Sequence, residues 1–299
     1  TDGWEIIPSD GNVLKEPAYW VNDDKTIENN IIFQGDNNQI LCLAGRTLTV
    51  KLAVQAPYIR VFNVSCPLTI EDCKDGGELT VTGGPINVYK PLTLTENVTV
   101  SGDINYSSQT GSLTVGAGST VNGTITVESG CMANIYGTVK RTITVEEGGT
   151  LNLYDGAEVR GGVDTSGTCT INGGTVKGIT VNGGVCTING GTVTNNGIKV
   201  NGGTCTIAGG TIQNAYDESG VRVNGGVCTI TGGTIQKNKN ENGNGGGVYV
   251  ASGATCTITG GSITNNTAQN GGGVYVAGGE CIINGAMNVA ANITNNTAQ

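Results

Sequence analysis

Residues 168–210 read TCTINGGTVKGITVNGGVCTINGGTVTNNGIKVNGGTCTIAGG, one phrase written three times with a cysteine in second place. A repeat this strict constrains the fold more than any other feature, because each copy must be one structural unit stacked on the next. Alignment on cysteine gives Cys169, Cys186, Cys205, Cys228, Cys256 and Cys281, with spacings of 17, 19, 23, 28 and 25. Each opens C-T-I-x-G-G-[TS]-[VI], Cys281 imperfectly, and each of the first five is followed by a phrase of the GITVNGG type. Upstream the skeleton continues without cysteine as SLTVGAGSTVNGTITVESG, MANIYGTVKRTITVEEG and TLNLYDGAEVRGGVDTSG. Nine turns, the last incomplete, are legible from about Ser112 onward.

Every phrase alternates apolar and polar residues, which is the strand period. One turn holds three short strands: Cys-Thr-Ile, then Thr-Val or Thr-Ile, then Gly-Val-x-Val. The x-Gly-Gly between the first two predicts a corner at positive φ, where glycine carries no steric cost. A helix is excluded, since glycine at this density would destabilise each turn. A strand recurring once per turn pairs in parallel with its copies above and below. The fold class is therefore all-β: a right-handed parallel β-helix solenoid with three short strands per turn and an N-terminal cap. The drifting gap fits this reading. Strands must hold register, because a slip by one residue turns inward side chains outward. The corner between the second and third strands is free to lengthen, since loop closure cost grows slowly. It grows from Lys177 to QNAYDES (213–219) and QKNKNENGNGG (236–246), and is read as a loop on one face.

The ladder cysteines alternate inward, and their column upstream holds Leu113, Ala133 and Leu151. Apolar residues replace cysteine there, so it is read as a small buried hydrophobe. In-register neighbours stand about 4.8 Å apart, whereas a disulfide wants Cβ atoms about 3.8 Å apart, so the column is read as free thiols. A disulfide among Cys42, Cys66 and Cys73 stays open.

Composition narrows the function classes. Net charge is −9 with 15 Lys+Arg, which argues against nucleic acid as a partner. No apolar stretch is long enough for a bilayer span. Histidine is absent, removing the commonest general base and metal ligand. Residues 1–60 hold both tryptophans and are expected to form the cap and irregular first turns, with residues 61–299 as the solenoid, continuing past Gln299.

The phrases CTINGGTV, NNTAQNGGGVYV and ILCLAGRTLTV…LTIEDCKDGGELTVTGG resemble right-handed parallel β-helix repeats of large bacterial surface proteins, of pectin-lyase-like fold. Similar repeats occur in adhesin-like and polymorphic outer-membrane proteins, and the resemblance covers roughly Ile40 to Gln299. It implies a secreted or cell-surface, extracellular protein. Many relatives of that fold cleave polysaccharides, but this chain lacks the N-T-D, D-D, G-H-G and R-I-K sites of polygalacturonases. A lyase would need Arg222 beside Asp217 and Glu218, and a hydrolase needs two carboxylates at fixed separation. No such constellation is legible, so catalysis is not expected. No cofactor is expected either, the nonapeptide calcium signature being missing.

The expected function is that of an adhesin-like or structural β-helix acting as a monomer and binding glycan or a host or matrix protein. Its outward third-strand column runs Thr126, Thr144, Asp164, Thr180, Lys199, Arg222, Tyr249, Tyr275. Tyrosine and arginine concentrate in recognition surfaces, and long loops on rigid scaffolds carry function. The candidate binding residues are therefore Lys199, Arg222, Tyr249 and Tyr275, with Tyr216, Asp217, Glu218 and Lys237 on the adjoining loops, and tyrosine faces as a floor for a sugar ring. Two alternatives stand beside it: a polysaccharide lyase or hydrolase, and an ice-binding protein. The second follows from the Thr/Val-Cys-Thr ladder, which resembles the T-C-T ladders of insect antifreeze proteins.

Overall fold

The computed structural model describes residues 5–8, 12–51, 62–74, 76–106, 111–284 and 291–299. All its regular structure is β. Parallel strands form three long sheets of 14, 13 and 13 members, visited in rotation, as a right-handed parallel β-helix requires. The chain divides into two compact units, residues 1–144 with 149–151 and residues 145–148 with 152–299.

In the first unit the walls are Leu, Ile and Val. Leu68 pairs with Leu92 and Leu92 with Leu113 in the first sheet, and all three are buried. Strands Ala18–Trp20, Lys25–Ile27 and Ile31–Phe33 already stand in the three sheets. Aromatic rings fill this end: Tyr19 meets Phe33 edge-on at 6.2 Å, and Phe33 lies 5.4 Å from Phe62. Cys42 is joined to Cys73 in a disulfide. Cys66 stays a thiol, donating to Gln39 Oε1 at 3.2 Å, and burial pushes its pKa up to about 11. Corners here are held by side chains. The Asp72 carboxylate accepts from the Gly45 and Gly77 amides, both at 2.7 Å.

In the second unit the repeat is laid out turn by turn. Cys169, Cys186, Cys205, Cys228, Cys256 and Cys281 pair in register, with Ile171, Ile188, Ile207, Ile230, Ile258 and Ile283 beside them. All six cysteines are thiols, and the first five are buried. Cys281 is only half-buried, contrary to the expectation for the ladder, because no further strand covers it among the described residues. Each x-Gly-Gly corner needs both glycines for different reasons. The second sits at φ of +74° in Gly191 and +76° in Gly210. The first packs on the turn before, so that a Cβ at Gly209 would stand 2.2 Å from Asn189 O.

The second corner is more than a loop. Its first residue is left-handed in every copy: Asn195, Asn214, Lys237, Asn265 and Asn295 have φ between 54° and 67°. In the last three copies an asparagine follows and turns inward. Asn266 Oδ1 accepts from Asn238 N at 3.0 Å and Asn238 Nδ2 at 2.9 Å, while Asn266 Nδ2 donates to Ile235 O at 2.9 Å. Asn296 repeats the motif beneath Asn266, again at 3.0 Å. The lengthened segment also pairs. Lys239–Asn244, Thr267–Asn270 and Thr297–Ala298 form a fourth, three-stranded parallel sheet, which corrects the expectation of an unpaired loop.

Candidate functional site

Register delivers the outward column of the third sheet as one line: Asp164, Thr180, Lys199, Arg222, Tyr249, Tyr275. Beside it the chain leaves the second strand, turns at left-handed Asn214 and returns through Asp217 and Glu218. One turn later the segment Lys239–Asn244 stands alongside, tied by Asp217 N donating to Lys239 O at 2.7 Å. Column and segments enclose a cleft of about 550 Å³ lined by Lys199, Asp217, Glu218, Arg222, Asn240, Asn242 and Tyr249, among others. A smaller hollow of about 270 Å³ continues along the column past Thr180 and Asp164, sharing Lys199 and Glu218 as its boundary.

The charges in this cleft are arranged by their neighbours. Lys199 Nζ donates to Glu218 Oε1 at 2.8 Å with both side chains about a third exposed, so the pair is partly screened and orders the wall more than it stabilises it. The Arg222 guanidinium carbon lies 4.2 Å from the centre of the Tyr249 ring, and its Nε donates to Asn224 Oδ1 at 2.9 Å. Asn224 in turn heads an amide ladder, Asn224 to Asn201 to Asn182, each step 2.9 Å. Tyr249 and Tyr275 stack with centroids 5.9 Å apart and planes inclined by 11°.

The stacking corrects one expectation. Tyr249 is sandwiched along the axis, with arginine on one side and tyrosine on the other, so its faces do not form a floor for a sugar ring. In-register side chains stand about 4.8 Å apart, a spacing that draws planar groups into a stack. What the column presents outward is ring edges, a phenol hydroxyl and guanidinium N–H groups.

Five of the eight residues singled out from the sequence therefore line one cleft: Lys199, Asp217, Glu218, Arg222 and Tyr249. Tyr275 backs it by stacking. Tyr216 and Lys237 lie outside it. Tyr216 is 63% exposed and bridges to Lys239, while Lys237 is a left-handed corner residue. The asparagines of the cleft were not singled out. Asn224 carried a signal, the outward Asn recurring in GITVNGG, GIKVNGG and GVRVNGG. Asn240 and Asn242 carried none, since only the fourth sheet brings them there.

Chemically the cleft offers amide and cationic donors beside carboxylate and amide acceptors, a set suited to a hydroxyl-rich ligand. A hollow in the first unit of about 610 Å³ is lined by Thr80, Ser101, Asp103, Thr124 and Arg141, but its carboxylate is spent on the Thr124 amide and hydroxyl. Among the described residues one grouping of ligand atoms has metal-like proximity, Cys42, Glu71 and Cys73, and there the two sulfurs are consumed in the disulfide. The threonines of the Thr/Val-Cys-Thr ladder, Thr170, Thr187, Thr206, Thr229 and Thr257, stand in register on the first sheet, and Ile282 takes the next position. Comparison with protein-family models, with curated proteins and with solved structures returned no match.

Proposed function

We propose that this is a secreted or cell-surface β-helix of adhesin-like character, with a pectin-lyase-like wall, that binds glycan along the third-strand face of its second unit. A host or matrix protein displaying such glycans is the partner this reading implies. One observation carries it: a side-chain column built for exposure, Lys199 to Tyr275, runs beside a walled polar cleft on an otherwise monotonous scaffold. Ring faces are taken, so the ligand is held by hydrogen bonds to Arg222, Asn240 and Asn242 and to the tyrosine edges. Extended sugars suit such a groove, because their hydroxyls repeat along a line as the turns do.

The test is the double replacement Tyr249→Thr with Tyr275→Thr, which installs the residue found at Thr126, Thr144 and Thr180 in the same column. Stability should change by less than about 1 kcal/mol, as for partly exposed strand positions. Binding on a glycan array should fall, because Arg222 loses the ring that orients it. Full retention of the glycan signal in this variant and in Arg222→Ala would overturn the proposal.

A further inference from the structure

Eleven asparagines in the chain are followed directly by glycine, the pair in which a backbone nitrogen reaches the preceding side-chain amide most freely. Most of them stand in the wall, where the geometry blocks that approach. The amides of Gly190, Gly202 and Gly225 donate to Ile171 O, Val181 O and Val200 O at 3.1–3.3 Å. The matching side chains Asn189, Asn201 and Asn224 donate into ladders at 2.9–3.0 Å. A Cβ on any of these glycines would lie 2.4–2.7 Å from a carbonyl oxygen of the turn before, so the backbone has no room to rotate.

Asn242–Gly243 is built differently. The fourth sheet is in register at Asn240 with Ala268 and resumes at Asn244 with Asn270, so residues 241–243 are carried out of the ladder. Asn240 Nδ2 closes the neck of this bulge by donating to Asn244 O at 2.9 Å. Asn242 is exposed, and the nearest atoms to the Gly243 Cβ position belong to the Asn240 side chain instead of backbone. The bulge therefore combines a reactive dipeptide with the freedom that the wall denies to its counterparts.

We propose that Asn242 is a self-modifying site on the rim of the cleft. The Gly243 backbone nitrogen loses its proton and attacks Asn242 Cγ. A C–N bond forms, the side-chain nitrogen leaves as ammonia, and a succinimide results. Water then opens either carbonyl, giving aspartate or isoaspartate, and only water is consumed. The product places a new carboxylate in the cleft that contains Arg222, Lys199, Asp217 and Glu218, and the isoaspartate form also adds a methylene to the strand. The inference rests on local geometry and stands whether or not the cleft binds glycan.

The experiment incubates the intact protein in mildly alkaline buffer, digests it and maps each Asn-Gly peptide by mass spectrometry, with a parallel sample in urea. In urea all the peptides should convert at similar rates. In the native protein the peptide holding Asn242 should convert roughly tenfold or more faster than those holding Asn189, Asn201 and Asn224, since two hydrogen bonds must break before a wall site can react. Gly243→Ala should slow Asn242 alone. Wall sites that keep pace with Asn242 in the native protein would overturn the proposal, as would an Asn242 that stays an amide while the urea sample converts fully.

Discussion

Cys228 and Asn238 are both fully buried and both stand in columns of like side chains running along the second unit. The thiol column touches only itself and its apolar neighbours, and upstream its place is taken by Leu113 and Ala133. The amide column instead reaches the backbone, taking Asn238 N and Ile235 O out of the unpaired state in one step. Burial of a polar group is thus tolerated in one case and required in the other. A thiol costs little to bury because it is barely polar, whereas an amide is retained only where it satisfies backbone that would otherwise be orphaned.

The sharpest way to separate the columns is pH. Each of Cys186, Cys205 and Cys228 is held well above the ordinary thiol value of 9.0, first by its hydrogen bond to the preceding thiol and then by burial. A raised folded pKa means the stability is complete below the unfolded pKa and is lost as pH rises past it, because only the unfolded chain ionises. Denaturant midpoints should be flat in this respect up to pH 9, and at pH 10 each thiol should cost roughly 1.4 kcal/mol. The triple replacement of these cysteines by Ala should remove that extra loss. An unchanged slope would mean the column ionises in place.

Next in size is removal of one amide. Asn266→Ala strands Asn238 N, Asn238 Nδ2 and Ile235 O together, and is expected to cost about 3 kcal/mol by chemical denaturation. The matched change Cys228→Ala removes only packing, and should cost about 1 kcal/mol. Equal losses would erase the distinction between the columns.

The same contrast explains what could be read before the fold was seen. Cysteine, isoleucine and the paired glycines recur at fixed offsets within each phrase, because strand register and the Asn189 O contact of Gly209 tolerate no drift. The amide column was not legible. Asn238, Asn266 and Asn296 sit inside the corner whose length varies, and one turn earlier the position is Ala215, whose amide Asn238 Oδ1 accepts at 3.0 Å. The fourth sheet was hidden for another reason: KNENGN has no apolar alternation and poor strand propensity, and pairs only because a neighbouring strand is presented to it. At the candidate cleft the column from Lys199 to Tyr275 followed from the period alone. The direction of its rings did not, since that depends on side-chain rotation among stacked neighbours. The disulfide partner needed the fold too, because the pairing of Cys42 with Glu71 in adjacent strands is what brings Cys73 within reach.

The wall hydrogen bonds run from turn to turn, as in Asn182 to Thr165, Asn201 to Val181 and Asn224 to Val200 through their backbone N–H and C=O groups. Under tension along the solenoid axis, bonds with this orientation are loaded end-on, and the outermost turn gives way before the next feels the full force. A sideways pull must instead shear three ladders at once. Such a wall peels under axial load and resists transverse load, so a tether attached along its side would hold far more firmly than one attached at a terminal turn.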